Sequence, residues 1–193
     1  LNHLSEQQIK KVTQEMKFKA QVAIDILIRN LFERRADIGF LATDDDIRNF
    51  IQNYVSKYNE NSVILRDNIQ KRFKEYVSKY SVYFDIVVLD NHGKLLVRLN
   101  DDIKTEKTDL AFVNKVLNSD EDYLETYGFH DFIPQYKKSL VYSYKVTKTN
   151  NQNSENLGVL CLCFKFTDEM NGILTNLIDT KNKECITILD EDG

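Results

Sequence analysis

The sequence lacks tryptophan, contains one proline and six glycines, and has no long apolar run. The low proline and glycine content excludes collagen-like chains, linkers and disordered segments. A membrane-spanning helix needs about 18 consecutive apolar residues, so none is predicted. Three histidines and three cysteines are few for a metal site or a catalytic triad, and we predict no metal, no cofactor and no enzyme activity.

The charge balance is slightly acidic, with 26 lysines and arginines against 30 aspartates and glutamates. Without a basic field, nucleic-acid binding is not predicted. The hydrophobic content of 42% is enough for a core, and 193 residues correspond to one domain with a satellite element. The chain begins at Leu1 rather than Met, so we expect a piece of a longer protein, with any membrane segment outside it.

The first third of the chain has helical periodicity. Apolar residues recur every three or four positions between Ile9 and Leu31, which predicts a helix from Leu4 to about Arg35. Such a helix would measure about 45 Å at ~1.5 Å per residue, longer than a small core needs. A helix of this length either pairs with a copy of itself or forms a stalk, and we expect it to pair with a second copy in a parallel homodimer.

Two further helices are predicted before residue 82. Gly39 is expected to break the first helix, and Thr43 to cap a second one that begins with the carboxylates Asp44–Asp46. Ser62 is expected to cap the third. Residues 1–81 would then form a long helix and a helical subdomain.

Strand patterns dominate from residue 82 onwards. Tyr83–Leu89, the turn Asp90–Gly93 and Leu95–Leu99 predict a hairpin. The later elements are a helix capped by Thr108, strands at Tyr123–Tyr127, Leu140–Thr147 and Leu157–Phe166, and a helix from Thr167 to about Asp179. This order predicts an α+β fold with a mostly antiparallel five-stranded sheet in residues 82–180.

The segment Val87–Gly93 has an echo at Thr187–Gly193. Both are strand-like runs that end in an Asp-x-x-Gly turn. Such turns are common, so the echo can be chance. Alternatively, residues 181–193 begin a second sheet unit.

Cys161 and Cys163 lie two residues apart on one predicted strand. Their side chains would share a face, about 6.5–7 Å apart at ~3.3 Å per residue. We expect both to be buried, reduced and free of metal. A loose thiol-redox role is the only enzymatic alternative.

Asp85 and Arg98 are each the one charge within their strands. A two-residue turn at Asn91 and His92 would place them directly opposite each other. One interpretation is an exposed ion pair, worth about 0–1 kcal/mol. The other is that Arg98 lines a pocket and binds a small carboxylate through its planar guanidinium.

Polar aromatic residues concentrate around two of the later strands. Side chains of this kind line pockets for small polar ligands, and they serve equally as half-buried sheet residues. The candidate ligand-binding residues are Arg98, Tyr127, His130, Asp131, Tyr142 and Tyr144.

The order of the elements and two strand motifs resemble a known family. After the long helix come Phe84–Leu89 with Asp90-x-x-Gly93, then Leu157–Leu162 and a helix that starts at Phe166–Glu169. This pattern resembles the Cache domain, the PAS-like sensor module of bacterial chemoreceptors, histidine kinases and diguanylate cyclases. The resemblance implies a PAS-like sheet, and a double Cache unit would explain the echo in residues 181–193.

The same resemblance implies a function. The chain would be a ligand-sensing input domain that binds a small molecule and relays the change through its long helix. Cache domains are mostly extracytoplasmic, with a cytoplasmic location as the alternative. Members that bind amino acids have an Arg-x-Trp-Tyr motif, which this tryptophan-free chain lacks. The competing interpretation is a structural or dimerisation module without a ligand.

Overall fold

The computed structural model describes residues 2–56, 60–149, 154–178 and 185–187. The chain divides into two compact units. One contains Leu1–Glu33 and Thr167–Gly193, and the other contains Arg34–Phe166. The second unit holds the sheet and all six candidate ligand-binding residues.

The first helix, α1, runs without a break from Asn2 to Ala42. The predicted break at Gly39 is therefore wrong. A glycine inside a helix costs only about 0.5–1 kcal/mol relative to alanine. Ile38, Leu41 and Ala42 are buried, and their burial outweighs that cost.

The second and third helices are α2, Asp45–Ser56, and α3, Glu60–Lys79. Asp44 rather than Thr43 caps α2, because its Oδ1 accepts a hydrogen bond from the Asp46 amide at 2.9 Å. The Thr43 hydroxyl donates instead to the Gly39 carbonyl at 3.0 Å. The helix α3 begins before Ser62, so the capping role predicted for Ser62 is also wrong.

The sheet is five-stranded and antiparallel, with the order β2-β1-β5-β4-β3. This confirms the predicted α+β fold class. The elements are β1 Tyr83–Asp90, β2 Leu95–Arg98, α4 Leu110–Leu117, β3 Tyr123–Gly128, β4 Ser139–Thr147, β5 Asn156–Phe164 and α5 Phe166–Leu177. The central strand β5 needs Gly158, since a Cβ there would lie 2.2 Å from the Leu89 carbonyl oxygen.

The hairpin of β1 and β2 differs in register from the prediction. Arg98 pairs with Val87 instead of Asp85, and the register shifts between Val88 and Leu89. The turn also involves Gly93, which has a φ of 78°. The three-residue turn Asn91–Gly93 and the extra residue at this irregularity each move the pairing by one position, so counting from an assumed two-residue turn gave the wrong partner.

One face of the sheet, here called the connector face, packs against α4 and the segment between β3 and β4. Its core includes the buried residues Val87, Cys161, Val113 and Phe132. Cys161 and Cys163 are buried free thiols on this face, as expected. Burial raises the pKa of Cys161 to about 12, so the thiol stays protonated at neutral pH.

The opposite face, here called the helix face, meets the end of α1. Tyr83 and Phe164 lie on it, and the Arg34 guanidinium is 5.6 Å and 5.8 Å from their ring centroids. Alternation along β4 and β5 puts Tyr142 and Leu162 on this face as well. The sheet therefore separates two sets of side chains.

The described part of the other unit consists of helical segments, Ile178 and residues 185–187. Ala23 of α1 and Met170 of α5 are both buried. They help to line an apolar pocket of about 280 Å³. Within the described part of the chain, no helix is long and apolar enough to cross a membrane. Residues 185–187 are not in a strand, and the rest of the predicted 181–193 strand and turn lies outside the described residues.

Candidate functional site

Asp85 and Arg98 form a buried ion pair on the connector face. Their side chains are 0% and 4% exposed. The Arg98 Nε donates to Asp85 Oδ2 at 3.1 Å, and Nη2 donates to the same oxygen. The two residues are thus partners even though they are not paired in register. Their burial excludes the interpretation as an exposed pair.

The ion pair also holds the two segments that cover this face, here called the connectors: the β2–α4 connector, residues 99–109, and the β3–β4 connector, residues 129–138. Arg98 donates to the carbonyl of Ile103 at 3.2 Å and to that of Phe132 at 3.1 Å. Asp85 accepts a hydrogen bond from the amide of Asn100 at 3.0 Å. Burial raises the pKa of Asp85, while Arg98 and backbone amides oppose the rise. All three guanidinium nitrogens have protein partners, so a carboxylate ligand would have to compete with Asp85.

His130 lies in the β3–β4 connector and is buried. Its Nε2 is 2.8 Å from the Thr126 hydroxyl, and its Nδ1 is 3.3 Å from the Ser139 hydroxyl. The ring of Phe112 meets it edge-on at 5.7 Å. Burial lowers the pKa of His130, against the opposing effects of a backbone hydrogen bond with Gly128 and the charge of Asp131.

The lowered pKa of His130 predicts a pH dependence of stability. A histidine in an unfolded chain titrates near ~6.5. As the pH falls below about 6.5, the unfolded state takes up the proton first, so the contribution of neutral His130 is present above that pH and is lost below it. The stability advantage of wild type over His130→Gln should shrink between about pH 7.5 and about pH 5 in urea unfolding. His92→Gln, at an exposed histidine, is the matched control, and an advantage that stays constant would contradict the prediction.

Asp131 joins the two connectors to each other. Its carboxylate accepts a hydrogen bond from the Thr108 hydroxyl and another from the Asp109 amide, the latter at 2.7 Å. The prediction that Thr108 caps α4 is therefore wrong. That role belongs to Asp109, which accepts from the amide of Ala111 at 2.9 Å. Thr108 lies one residue before the N-cap position, because α4 begins at Leu110, and its hydroxyl donates to Asp131 instead of accepting from a helix amide.

The three candidate tyrosines are placed differently from Arg98, His130 and Asp131. Tyr127 pairs with Leu140 and is 58% exposed, with its ring 5.7 Å from that of Phe166. Tyr142 is fully buried on the helix face, and Tyr144 lies two residues further along the same face. The structure thus brings Arg98, His130 and Asp131 to one side of the sheet and the tyrosines to the other.

A network that the sequence reasoning missed joins α1 to β1. The Tyr83 hydroxyl donates to Asp37 Oδ2 at 2.6 Å. Arg34 Nε lies 3.5 Å from the same carboxylate oxygen. Burial raises the pKa of Tyr83, and the hydrogen bond to Asp37 adds to the rise. The available signal was spacing, because Arg34, Ile38 and Leu41 share one helical face and a charge there must be paired.

Two tyrosine-to-phenylalanine variants should differ in their effect on stability. Tyr83→Phe loses a hydrogen bond to a carboxylate and should destabilise the protein by about 1.5–3 kcal/mol. Tyr142→Phe removes a buried hydroxyl that has no hydrogen-bond partner in the described structure. It should leave stability unchanged or raise it by up to ~2 kcal/mol. Chemical denaturation of both variants tests this, and an equal loss in the two would refute the assignment.

The described residues contain no group of three histidine, cysteine or acidic side chains that could hold a metal ion. The polar groups of the connector face form hydrogen bonds and an ion pair.

Solved structures of a sensor domain and a ligand-binding domain share this architecture. The sensor domain of the V. cholerae histidine kinase DctB matches with a TM-score of 0.65 and 12% identity over 89% of this chain. The ligand-binding domain of the Campylobacter jejuni chemoreceptor Tlp3, in complex with L-valine, matches with a TM-score of 0.50 and 17% identity over 89% of this chain. No protein-family model and no curated protein matches the sequence.

The chain has the PAS-like fold of Cache sensor domains. This confirms, at the level of the fold, the resemblance that the sequence indicated. The chain spans 61% of the DctB domain and 65% of the Tlp3 domain, less than two thirds of either.

Proposed function

We propose that the chain is a ligand-sensing input domain of a bacterial signal-transduction receptor and acts on the extracytoplasmic side of the membrane. Its small-molecule ligand binds between the connector face and the two connectors. The shared fold of the histidine kinase and chemoreceptor domains supports this proposal, as does the L-valine bound in one of them. We propose a small carboxylate because the Arg98 guanidinium is suited to bind one. We do not assign an amino acid, because the chain lacks tryptophan and therefore the Arg-x-Trp-Tyr motif.

The observation that carries the proposal is the placement of Arg98, His130 and Asp131. Each is a polar group that holds a connector, and each lies beside a cluster that is otherwise apolar. A few directional polar groups in apolar surroundings are typical of small-molecule sites. A ligand that exchanges bonds with them would favour one arrangement of the connectors over another.

The relay of this change is proposed to run through α1. This helix is continuous, and its residues Arg34–Ala42 belong to the sheet unit, where Asp37 bonds to Tyr83. We propose that residues 1–81 form the helical region, 82–180 the sensor core, and 181–193 the start of a second sheet unit. We also propose that the protein forms a homodimer through α1 and that its output module lies elsewhere in the protein.

A thermal-shift screen with a broad panel of metabolites, rich in carboxylates, tests the proposed function. A ligand at 100 times its dissociation constant should stabilise the fold by about 2.7 kcal/mol and raise the Tm. The shift should be smaller in His130→Gln and unchanged in Lys115→Ala, which alters an exposed side chain on α4. A panel without any shift would favour the structural or dimerisation module.

A further inference from the structure

A concave surface lies beside the edge strand β2, within the sheet unit. It is a groove of about 890 Å³. Its described lining residues come from α2, α3, the hairpin turn, β2 and the segment after β2, and besides Arg98 its cationic side chains are Arg66, Lys94, Lys104 and Lys107. The Arg98 guanidinium is bonded to Asp85, so its charge is already neutralised there.

The groove is basic although the chain as a whole has a net charge of −4. Arg66, Lys94 and Lys107 have exposed side chains, and among the described residues none of them has an ion-pair partner. Lys104 adds a fourth positive charge and donates to the Asp101 carbonyl at 2.5 Å. Cations gathered along one cleft reinforce each other and attract anions.

The acidic residues of the lining do not cancel this charge. They are Asp101 and Glu106, so the four cations leave a net surplus of positive charge. The Asp101 carboxylate is also held from outside the lining, by Gln70 Nε2 at 2.5 Å and Lys74 Nζ at 3.9 Å.

The backbone around the groove favours a small molecule over a peptide strand. An added strand would need free amides and carbonyls along β2. The Leu95 amide already donates to the Glu106 carbonyl at 2.7 Å, and the Arg98 carbonyl accepts from Gln70 at 3.1 Å. The volume also lies within the range of about 300–1,000 Å³ that is usual for small-ligand sites.

We propose that this groove binds a small organic polyanion, with two or more phosphate or carboxylate charges. Arg66, Lys94 and Lys107 would supply the charge-assisted hydrogen bonds. Leu95, Leu96 and Ile103 would contact the apolar part of the ligand. The groove shares Arg98 and Ile103 with the proposed connector site, but the proposal rests on the exposed cations Arg66, Lys94 and Lys107 and does not depend on a ligand at that site.

Calorimetric titration with inorganic pyrophosphate and with citrate tests the proposal. Wild type should bind at least one probe, and more weakly at high ionic strength, because salt screens exposed charges. The probe that binds more tightly identifies phosphate or carboxylate as the preferred group. The double variant Lys94→Ala with Lys107→Ala should weaken binding by at least about tenfold, the scale for losing charge-assisted hydrogen bonds.

A matched double variant, Lys79→Ala with Lys115→Ala, removes two exposed lysines that lie outside both the groove and the connectors. It should bind the probe as wild type does. Circular dichroism and Tm must show that both double variants are folded. The proposal is overturned if wild type binds neither probe at low ionic strength, or if both double variants weaken binding equally.

Discussion

Arg98→Met should lower the free energy of unfolding by about 3–5 kcal/mol, the usual cost of leaving one member of a buried ion pair without its partner. The variant keeps much of the apolar stem but leaves the Asp85 carboxylate buried and unpaired. It also removes the donors to Ile103 and Phe132, so both connectors should loosen. Urea unfolding monitored by circular dichroism measures the loss.

The control for this variant is Lys115→Met, an exposed lysine on α4. Surface changes of this kind are usually within about 0.5 kcal/mol. A cost below ~1 kcal/mol for Arg98→Met would be that of an exposed pair and would contradict the buried geometry. Asp85→Leu combined with Arg98→Met should cost less than the sum of the single variants, since the two groups interact directly.

Asp37→Ala should also be strongly destabilising, by about 3–5 kcal/mol. It removes the carboxylate that lies 3.5 Å from the buried Arg34 guanidinium, and the same change removes the acceptor of the Tyr83 hydroxyl. Both consequences fall where α1 meets the sheet. The variant is therefore expected to uncouple the helix from β1 as well as to lower the Tm.

Asp45→Ala offers a matched comparison, because Asp45 also pairs with an arginine three residues away. Its side chain is 86% exposed, whereas that of Asp37 is 16% exposed. The expected cost is about 1 kcal/mol or less. If Asp37→Ala costs no more than Asp45→Ala, the network at the end of α1 does not stabilise the helix–sheet contact.

Most of the fold could be predicted from local patterns. Apolar runs rich in strand-forming residues and bounded by turn signals identify the strands, and three-to-four-residue spacing identifies α1 and α3. Register could not be predicted, because the irregularity at Val88 and Leu89 depends on packing across the sheet. Tertiary packing also explains why α1 continues through Gly39, since burial of Ile38 and Leu41 outweighs the weak local preference of glycine against helix.

The candidate site could be predicted only in part. The sequence indicated Arg98, His130 and Asp131, which the structure places around the connector face. It also grouped Tyr142 with them, although alternation puts Tyr142 and the connector-face residue Ser143 on opposite sides of β4. Which face of the sheet α1 covers depends on tertiary packing, and for that reason the hydrogen bond between Tyr83 and Asp37 was not predicted.

Hydrogen–deuterium exchange, with and without the compound selected by the thermal screen, tests whether a ligand binds at the connector face and affects α1. We predict slower exchange in the connectors, residues 99–109 and 129–138, together with a change in Arg34–Ala42 of α1. Protection confined to the unit of Leu1–Glu33 and Thr167–Gly193, or no protection anywhere, would contradict a ligand site on the connector face that is coupled to the helix.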